Sequence, residues 1–454
     1  MRVLHTSDWH IGRRFKGLSL RKYQRTALEW LIGVIEREHV QVLCVSGDVY
    51  DQSMPSGDAV QLFNEMFVRL GRTMVDGEPL EIIITPGNHD SAVRLDAGSA
   101  LMQPNIHMRC RIDDIAEPVI VERDDESMAV YALPYLDPDA ARSQLQGVLD
   151  SSGVDWTIPR SHEGMMRAAL QLVTRDLAER HVSDPDMPAV LMAHAFVGGA
   201  QSSDSERAIT VGGVDSVPAG LFSNSGLDYL ALGHLHRPQQ VRIPVLDAAD
   251  SVFAYDRTPQ ARYSGSLLAY SFSESHNPPV AGNGKSVVVF DATCHGIEHL
   301  HTLPVESGEP AFAQVEGSVE DIQDEETVQR HRDDWVSVTV HVSEFPQGIY
   351  QKIDGWYPYA LEKNLVYDRR LDAGRRQTID LRKVTSEMEV LNQFVRDQIG
   401  RMPNDAERAV LERTVESVRS DHAEYAGDDG AAGERRDENA DGTVTNDDTA
   451  AKER

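Results

Sequence analysis

The sequence predicts an α/β protein, on three observations. Apolar, β-branched runs of strand length alternate with amphipathic helices. The runs stop abruptly at polar, Gly-containing turns. Five of them are followed at once by Asp, Asn or His, so side chains able to hold a metal gather at the carboxyl ends of strands, where ligands collect in open α/β sheets.

Residues 3–6 (Val-Leu-His-Thr) read as the first strand, left through Ser7-Asp8-Trp9-His10-Ile11-Gly12. Asp8 and His10 are two apart in an extended segment, project to the same side and could reach one ion. The basic cluster Arg13, Arg14, Lys16, Arg21, Lys22 and Arg25 follows, on the loop and the start of a helix running to about residue 38. It reads either as a solvated helix face or as phosphate contacts beside the site.

A second strand at 40–46 ends in Gly47-Asp48-Val49-Tyr50-Asp51, where Gly47 lets the chain turn sharply and aims Asp48 at the sheet edge. A helix at 56–70 carries Val60, Phe63, Met66, Phe67 and Leu70 on one face, as core or dimer interface. The strand at 80–85 leads into Pro86-Gly87-Asn88-His89-Asp90. Further on lie a strand at 128–133 and a helix at 161–180. A strand at 188–192 ends in Ala193-His194, and one at 227–232 ends in Gly233-His234-Leu235-His236. Between the last two, residues 198–213 are polar and Gly-rich, as in a mobile loop over a site. A strand follows at 286–290.

Past residue 304 the composition turns acidic, and 335–342 alternates like a half-exposed strand; 305–380 reads as a small α/β domain. A helix pair is expected at 385–420. Ser386 with Glu389 caps the first helix, which carries Met388, Leu391, Phe394, Val395 and Ile399; Asn404 with Glu407 caps the second, carrying Val410, Leu411, Val415 and Val418. Residues 421–454, with 11 acidic and 4 basic side chains, read as a disordered tail.

Bulk properties narrow the function. At 454 residues, 41% hydrophobic and 26% charged, the chain is long enough for two or three packed domains. Cys44, Cys110 and Cys294 form no CxxC pair, which excludes a disulfide framework and a thiolate zinc site. The formal charge of −29 rules out attraction of a polyanion by the global field, so nucleic acid would have to be met by a local basic stripe and by metal ions. With no signal-peptide core and no apolar run of membrane-spanning length, the expected address is the cytoplasm, with no membrane contact.

The donor set, Asp8, His10, Asp48, Asn88, His194, His234 and His236, is oxygen and imidazole without thiolate, which suits Mn, Fe or Zn. Seven donors exceed the need of one ion and suit two ions sharing a carboxylate, with Asp48 the natural bridge. Two such ions ~3.5–4 Å apart hold a phosphoryl oxygen and activate a water for in-line displacement. His89 is left over, as general acid or phosphate clamp, with Asp90 expected to orient it.

The ordered series DxH, GDxxD, GNHD, H, GHxH, each after an apolar strand, resembles the signature of the calcineurin-like metallophosphoesterases. The flanking words in residues 5–12, 46–51, 86–91 and 231–238, with the YSGSLLAYSF of 263–272, are similar to the SbcD family of exonuclease subunits. That resemblance implies a four-layer αββα sandwich over 1–304, a capping domain at 305–380 and a C-terminal helix pair. It implies two Mn2+ ions (Mg, Fe or Zn as alternatives), one on Asp8, His10, Asp48 and His236, the other on Asp48, Asn88, His194 and His234. His89 matches the catalytic histidine, and Asp51 stands in the catalytic group where some relatives carry a second histidine. The resemblance further implies a homodimer bound to two SbcC-type ATPase chains in a heterotetramer. The ATPase would dock on the helix pair through Leu391, Phe394, Val395 and Leu411. The implied activity is ATP-dependent double-strand exonuclease and single-strand endonuclease action on DNA ends and hairpins, in repair, recombination and replication. Arg13, Arg14 and Lys16 would then contact DNA. Two other readings stay open: a small-molecule phosphodiesterase or phosphatase on the same core, and a scaffold whose metal site is vestigial.

Overall fold

Strand Val42–Ser46 has no exposed residue, because both its faces are covered. Leu43 and Val45 pack on helices, while Val42 and Cys44 point the other way into a second sheet. A strand sandwiched in this manner reads as a continuous apolar run rather than as an alternation.

The computed structural model describes residues 1–124, 126–207, 216–247, 257–276, 280–343, 345–367, 388, 391–392, 394–396 and 401–428, the last twelve as backbone only. The chain divides into units Met1–Arg369 and Arg370–Arg454. In the first, the strands in chain order are β1 (Arg2–Thr6), β2 (Val42–Ser46), β3 (Glu81–Thr85), β4 (Ile106–Met108), β5 (Val119–Arg123) and β6 (Glu126–Ala132). After them come β7 (Ala189–His194), β8 (Tyr229–Gly233), β9 (Gln239–Val241), β10 (Gln260–Tyr263), β11 (Ser286–Thr293) and β12 (Gly296–Pro304). The helices that cover them are α1 (Arg21–Arg37), α2 (Gly57–Gly71), α3 (Arg142–Ser151) and α4 (His162–Ser183).

Two six-stranded sheets result, ordered β12-β11-β1-β2-β3-β4 and β9-β10-β8-β7-β6-β5. The centre of each is parallel; β11 and β12 add antiparallel strands at one edge of the first sheet, while β9 and β5 do so at both edges of the second. Their facing sides meet in one core built from Val3, Val42, Ile83, Val130, Met192, Tyr229 and Phe290. The outer side of the first sheet packs on α1 and α2, and that of the second on α3 and α4. The order helix, sheet, sheet, helix is the four-layer αββα sandwich, and the expected fold class holds. Ser56 and Ser161 cap α2 and α4 by accepting from Ala59 N and Gly164 N.

A third sheet, β13 (Phe312–Gly317), β14 (Trp335–Val342) and β15 (Ala360–Tyr367), is parallel throughout. Its core joins Val336, Val338 and Val340 with Ile349, Ile353 and Tyr357 of the helix Ile349–Trp356. β14 is more buried than its alternation suggests, because Trp335 and Phe312 also reach the first core. Phe15 stacks on Phe312 at 4.9 Å, and Lys16 pairs with Glu362, so the loop after β1 touches this sheet directly.

In the second unit a helix spans Asp405–Asp428, past residue 421 where the sequence pattern would end it. Asn404 Oδ1 accepts from Glu407 N while Glu407 accepts from Asn404 N, each at 2.9 Å, a mutual cap. Residues 388, 391–392 and 394–396 are helical; Leu391, Val395 and Leu411 are half-buried and Phe394 is exposed. Ser386, Glu389, Ile399, Gly400 and the tail 429–454 lie outside the described residues.

Candidate metal centre

The parallel strands end level with one another: Thr6 lies beside Val45, Ser46 beside Thr85, and His194 beside Gly233. Everything that leaves those ends enters one region. The first sheet delivers Asp8, His10, Asp48, Asn88 and His89, and the second His194, His234 and His236. Main-chain bonds from Asp8 N to Gly47 O (3.0 Å) and from His10 N to Asp48 O (2.9 Å) lock the first two loops together.

The local backbone is unusual. Asp8, His10 and Asp48 all have left-handed φ, at 54°, 43° and 52°, and His234 stands at 103°. Such conformations cost of order 1–3 kcal/mol each and persist where the surroundings over-determine them, most often at functional sites. Gly233 is required for another reason: a Cβ there would lie 1.8 Å from Ser46 O, so the two sheets touch through bare backbone.

The donors converge. His10 Nε2 lies 2.9 Å from His236 Nε2 and 3.5 Å from Asp48 Oδ2. The same Asp48 oxygen lies 3.4 Å from His194 Nε2. Asn88 Oδ1 is 2.9 Å from His194 Nε2 and 3.2 Å from His234 Nδ1. Asp8 belongs to both groups: its carboxylate, with His10 and His236 or with Asp48 and His194, offers donor atoms all within 4.8 Å of one another. All seven sequence-expected ligands are thus brought together, six of them almost wholly buried.

This chemistry fits divalent cations. Burial pushes His10 down to about 4, His234 down to about 3 and His236 well below the ordinary range, so these rings stay neutral with free lone pairs, the ligand form of imidazole. Burial also disfavours charge on His194 and Asp48, but each outweighs it for the other. His194 rises to about 9 and Asp48 is held below the usual carboxylate range. Burial raises Asp8 to about 7. Asn88 Nδ2 is buried without a hydrogen-bond partner, while its oxygen faces the two histidines.

His89 stands at the rim, half-buried, with Nε2 3.9 Å from Asp48 Oδ2. Its orienting partner is not Asp90. His89 Nδ1 meets the main-chain carbonyl of Asp51 at 2.8 Å, whereas the Asp90 carboxylate accepts from Gly87 N, Val49 N and Tyr50 N. Asp90 is a clamp on the turn, a role dictated by the three main-chain donors that surround it. The Asp51 carboxylate lies behind the site, 3.5 Å from His10 Nδ1 and 3.4 Å from Arg13 Nη1. Of the three basic residues singled out, Arg13 turns inward, over the Tyr270 ring and onto Ser205 O at 2.8 Å. Lys16 pairs with Glu362, and exposed Arg14 lines a groove of about 270 Å³ with Gly12, Arg21 and Asp51.

The family model for calcineurin-like phosphoesterases matches residues 1–238, just over half of the chain. The chain belongs to that family. A phosphoesterase of this kind works through a dinuclear metal site, and the groups described above are placed to hold one. The chain is also similar to the SbcD subunit of the SbcCD nuclease of Staphylococcus saprophyticus subsp. saprophyticus, 32% identical over 280 residues. That match covers 61% of this chain and 64% of the relative, so under two-thirds of the relative's length is spanned. Among solved structures, TT1561 of Thermus thermophilus is 12% identical, covering 67% of this chain and 99% of its own. GAP50, the anchor in the inner membrane complex of Plasmodium, is 10% identical over 67% of this chain and 89% of its own. Both superpose at a TM-score of 0.35, too loosely to bear structural weight.

In this phosphoesterase a second tier of residues holds the donors, and the sequence alone does not reveal it. Ser7 donates to Asp8 and contacts Ser264 Oγ at 2.9 Å. The main-chain carbonyl of Ser46 accepts from His194 Nδ1 at 3.0 Å. Tyr263 donates to Ala195 O and accepts from Val197 N, fixing the turn after His194. The stretch 263–272 signals itself as a motif, yet nothing in it says which donor each hydroxyl serves. Among the described residues no helix is long and apolar enough to cross a membrane.

Proposed function

We propose that the chain is a two-metal DNA nuclease, the nuclease subunit of an SbcCD-type complex. The observation that carries the reading is the single Asp48 oxygen shared by two donor groups, one ending in His10 and the other in His194. When bound, two divalent ions, manganese in this proposal, supply an activated water and neutralise the phosphoryl oxygens. The chain's residues do the rest. Asp8, His10, Asp48 and His236 hold one position, and Asp48, Asn88, His194 and His234 the other. With Nδ1–H donating to the Asp51 carbonyl, which keeps the ring turned toward the substrate, a doubly protonated His89 would give its Nε2 proton to the departing 3′ or 5′ oxygen. Asp51 acts through its neighbours, since its carboxylate steadies His10 and Arg13.

Double-stranded DNA ends and hairpins are the proposed substrates. Arg14 and Arg21 line a groove beside Asp51 and Asp58, and exposed Arg14 is the proposed phosphate contact there. The sheet of β13–β15 serves as the capping domain, tied to the loop that carries Lys16. In the second unit, Leu391, Phe394, Val395 and Leu411 form the docking face for an SbcC-type ATPase, and the assembly is a cytoplasmic heterotetramer acting in DNA repair, recombination and replication. The 32% identity to an SbcD chain supports this reading.

The deciding experiment is manganese-dependent degradation of linear duplex and hairpin DNA, with and without the ATPase, against a His89→Ala control. Cleavage that disappears in the control is expected. Hydrolysis confined to cyclic or mononucleotide esters would replace the DNA reading by a small-molecule phosphodiesterase.

A further inference from the structure

We infer that Ser205, backed by the buried Glu274–Lys285 pair, is a positioning residue that sets the tautomer of His236 and so readies one of the two metal positions. This rests on the two-ion reading above and deepens it.

The argument is a count of protons. Lys285 and Glu274 are buried against each other as an ion pair, each side chain 2% exposed. The other two Lys285 donors go to His236 O at 2.7 Å and to Ser266 Oγ at 3.0 Å, so the ammonium is fully used. A carboxylate paired with an ammonium only accepts. Its free oxygen, Glu274 Oε1, lies 2.9 Å from Ser205 Oγ and 3.1 Å from Tyr270 N. The Ser205 hydroxyl has one hydrogen and two further neighbours, Ser203 Oγ at 2.8 Å and His236 Nδ1 at 2.6 Å. Ser203 directs its own hydrogen to Glu206 Oε2 at 2.8 Å. The charge-assisted bond is the stronger, so Ser205 gives its hydrogen to Glu274.

Toward His236, Ser205 can then only accept, and His236 must carry its proton on Nδ1. The lone pair is left on Nε2, the atom that faces His10 Nε2 at 2.9 Å. The main chain of the same residue is held from both sides, its N–H by Glu206 Oε1 at 2.8 Å and its carbonyl by Lys285. The histidine is therefore locked in place, orientation and tautomer by groups that touch no substrate, the arrangement that tunes ligand basicity in metal sites.

Removing the hydroxyl leaves the segment tethered, because Arg13 Nη2 binds the main-chain carbonyl of Ser205 at 2.8 Å rather than its side chain. The test is calorimetric titration of Mn2+ into the metal-free full-length chain, with thermal unfolding of the same metal-free samples. Wild type is expected to take two ions in two steps. Ser205→Ala is expected to weaken one step alone, by about tenfold or more, while its metal-free form still unfolds in one cooperative transition, and Ser205→Thr, which keeps the hydroxyl, to restore it. Wild-type affinity in Ser205→Ala, or both steps weakening alike, would overturn the inference. Fewer than two ions on the wild type would instead sink the two-ion reading beneath it.

Discussion

The main-chain N–H of His89 donates to Asp48 Oδ1 at 2.9 Å. The loop bearing the rim histidine thus occupies one carboxylate oxygen and turns the other, Oδ2, toward His10 and His194. In the proposed two-ion site this Oδ2 is the oxygen that would be shared. An amide at this position can keep only one of these functions: with its oxygen on His89 N it points an NH2 at the two imidazoles. Asp48→Asn should therefore lower the Mn2+ affinity of both positions, by more than ~100-fold, and abolish phosphodiester cleavage. Metal stoichiometry after dialysis checks it, and a variant that retains two ions would show that Asp48 is not shared.

Gly47 has φ +84°, and a Cβ there would lie 2.3 Å from His194 Nδ1 and 2.9 Å from Gly87 Cα. Neither neighbour can yield, since His194 is fixed by Ser46 O and Gly87 by Asp90. Gly47→Ala should cost about 1–3 kcal/mol of stability by overpacking and weaken metal binding through His194. Urea unfolding of the metal-free chain measures the first effect. A stability equal to wild type would mean that the loop has slack the geometry denies.

The donors were readable because each follows an apolar strand, and strand ends in a parallel sheet converge whatever the loops do. The four-layer class was readable for a related reason: strands such as 42–46 and 189–194 are apolar on both faces, as strands covered on both sides must be. Direction within the turns was not readable. Arg13 and Arg14 are neighbours of one type, yet one faces Tyr270 and the other a surface groove, a difference of backbone path that leaves no mark on composition. Nor does a serine in a polar loop announce that it faces a histidine 31 positions on, as Ser205 does. β12 escaped because it is a partly exposed edge with no apolar alternation, and α3 because it buries little beyond Leu145 and Leu149.

Asp90 shows what the turn requires. Its carboxylate satisfies three main-chain donors at 2.9–3.0 Å, from Gly87, Val49 and Tyr50. Asp90→Ala leaves these N–H groups without their acceptor, at about 1–3 kcal/mol for each that water cannot reach. A lowered Tm with release of both the 47–51 and 87–90 loops is expected, seen as faster amide exchange at Val49 and Tyr50. Unchanged exchange and an unchanged Tm would mean that these three bonds do not hold the turn.

His5 gives a prediction in pH. It lies in β1 between the sheets, wholly buried, with Nδ1 3.2 Å from the Tyr229 hydroxyl, and burial lowers it to about 3. The unfolded chain binds a proton here below the ordinary histidine value of ~6.5, and the folded chain does not. Between those values the unfolded state holds more protons, so stability rises with pH and is lost as pH falls from about 6.5 toward 3. One such group contributes a slope approaching ~1.4 kcal/mol per pH unit. His5→Gln retains a partner for Tyr229 and removes the titration. Urea unfolding of the metal-free chain from about pH 7 to about pH 5 should show the variant losing less stability than wild type, by up to that slope. Wild type and variant falling in parallel would mean that the His5 ring takes up its proton in the folded state.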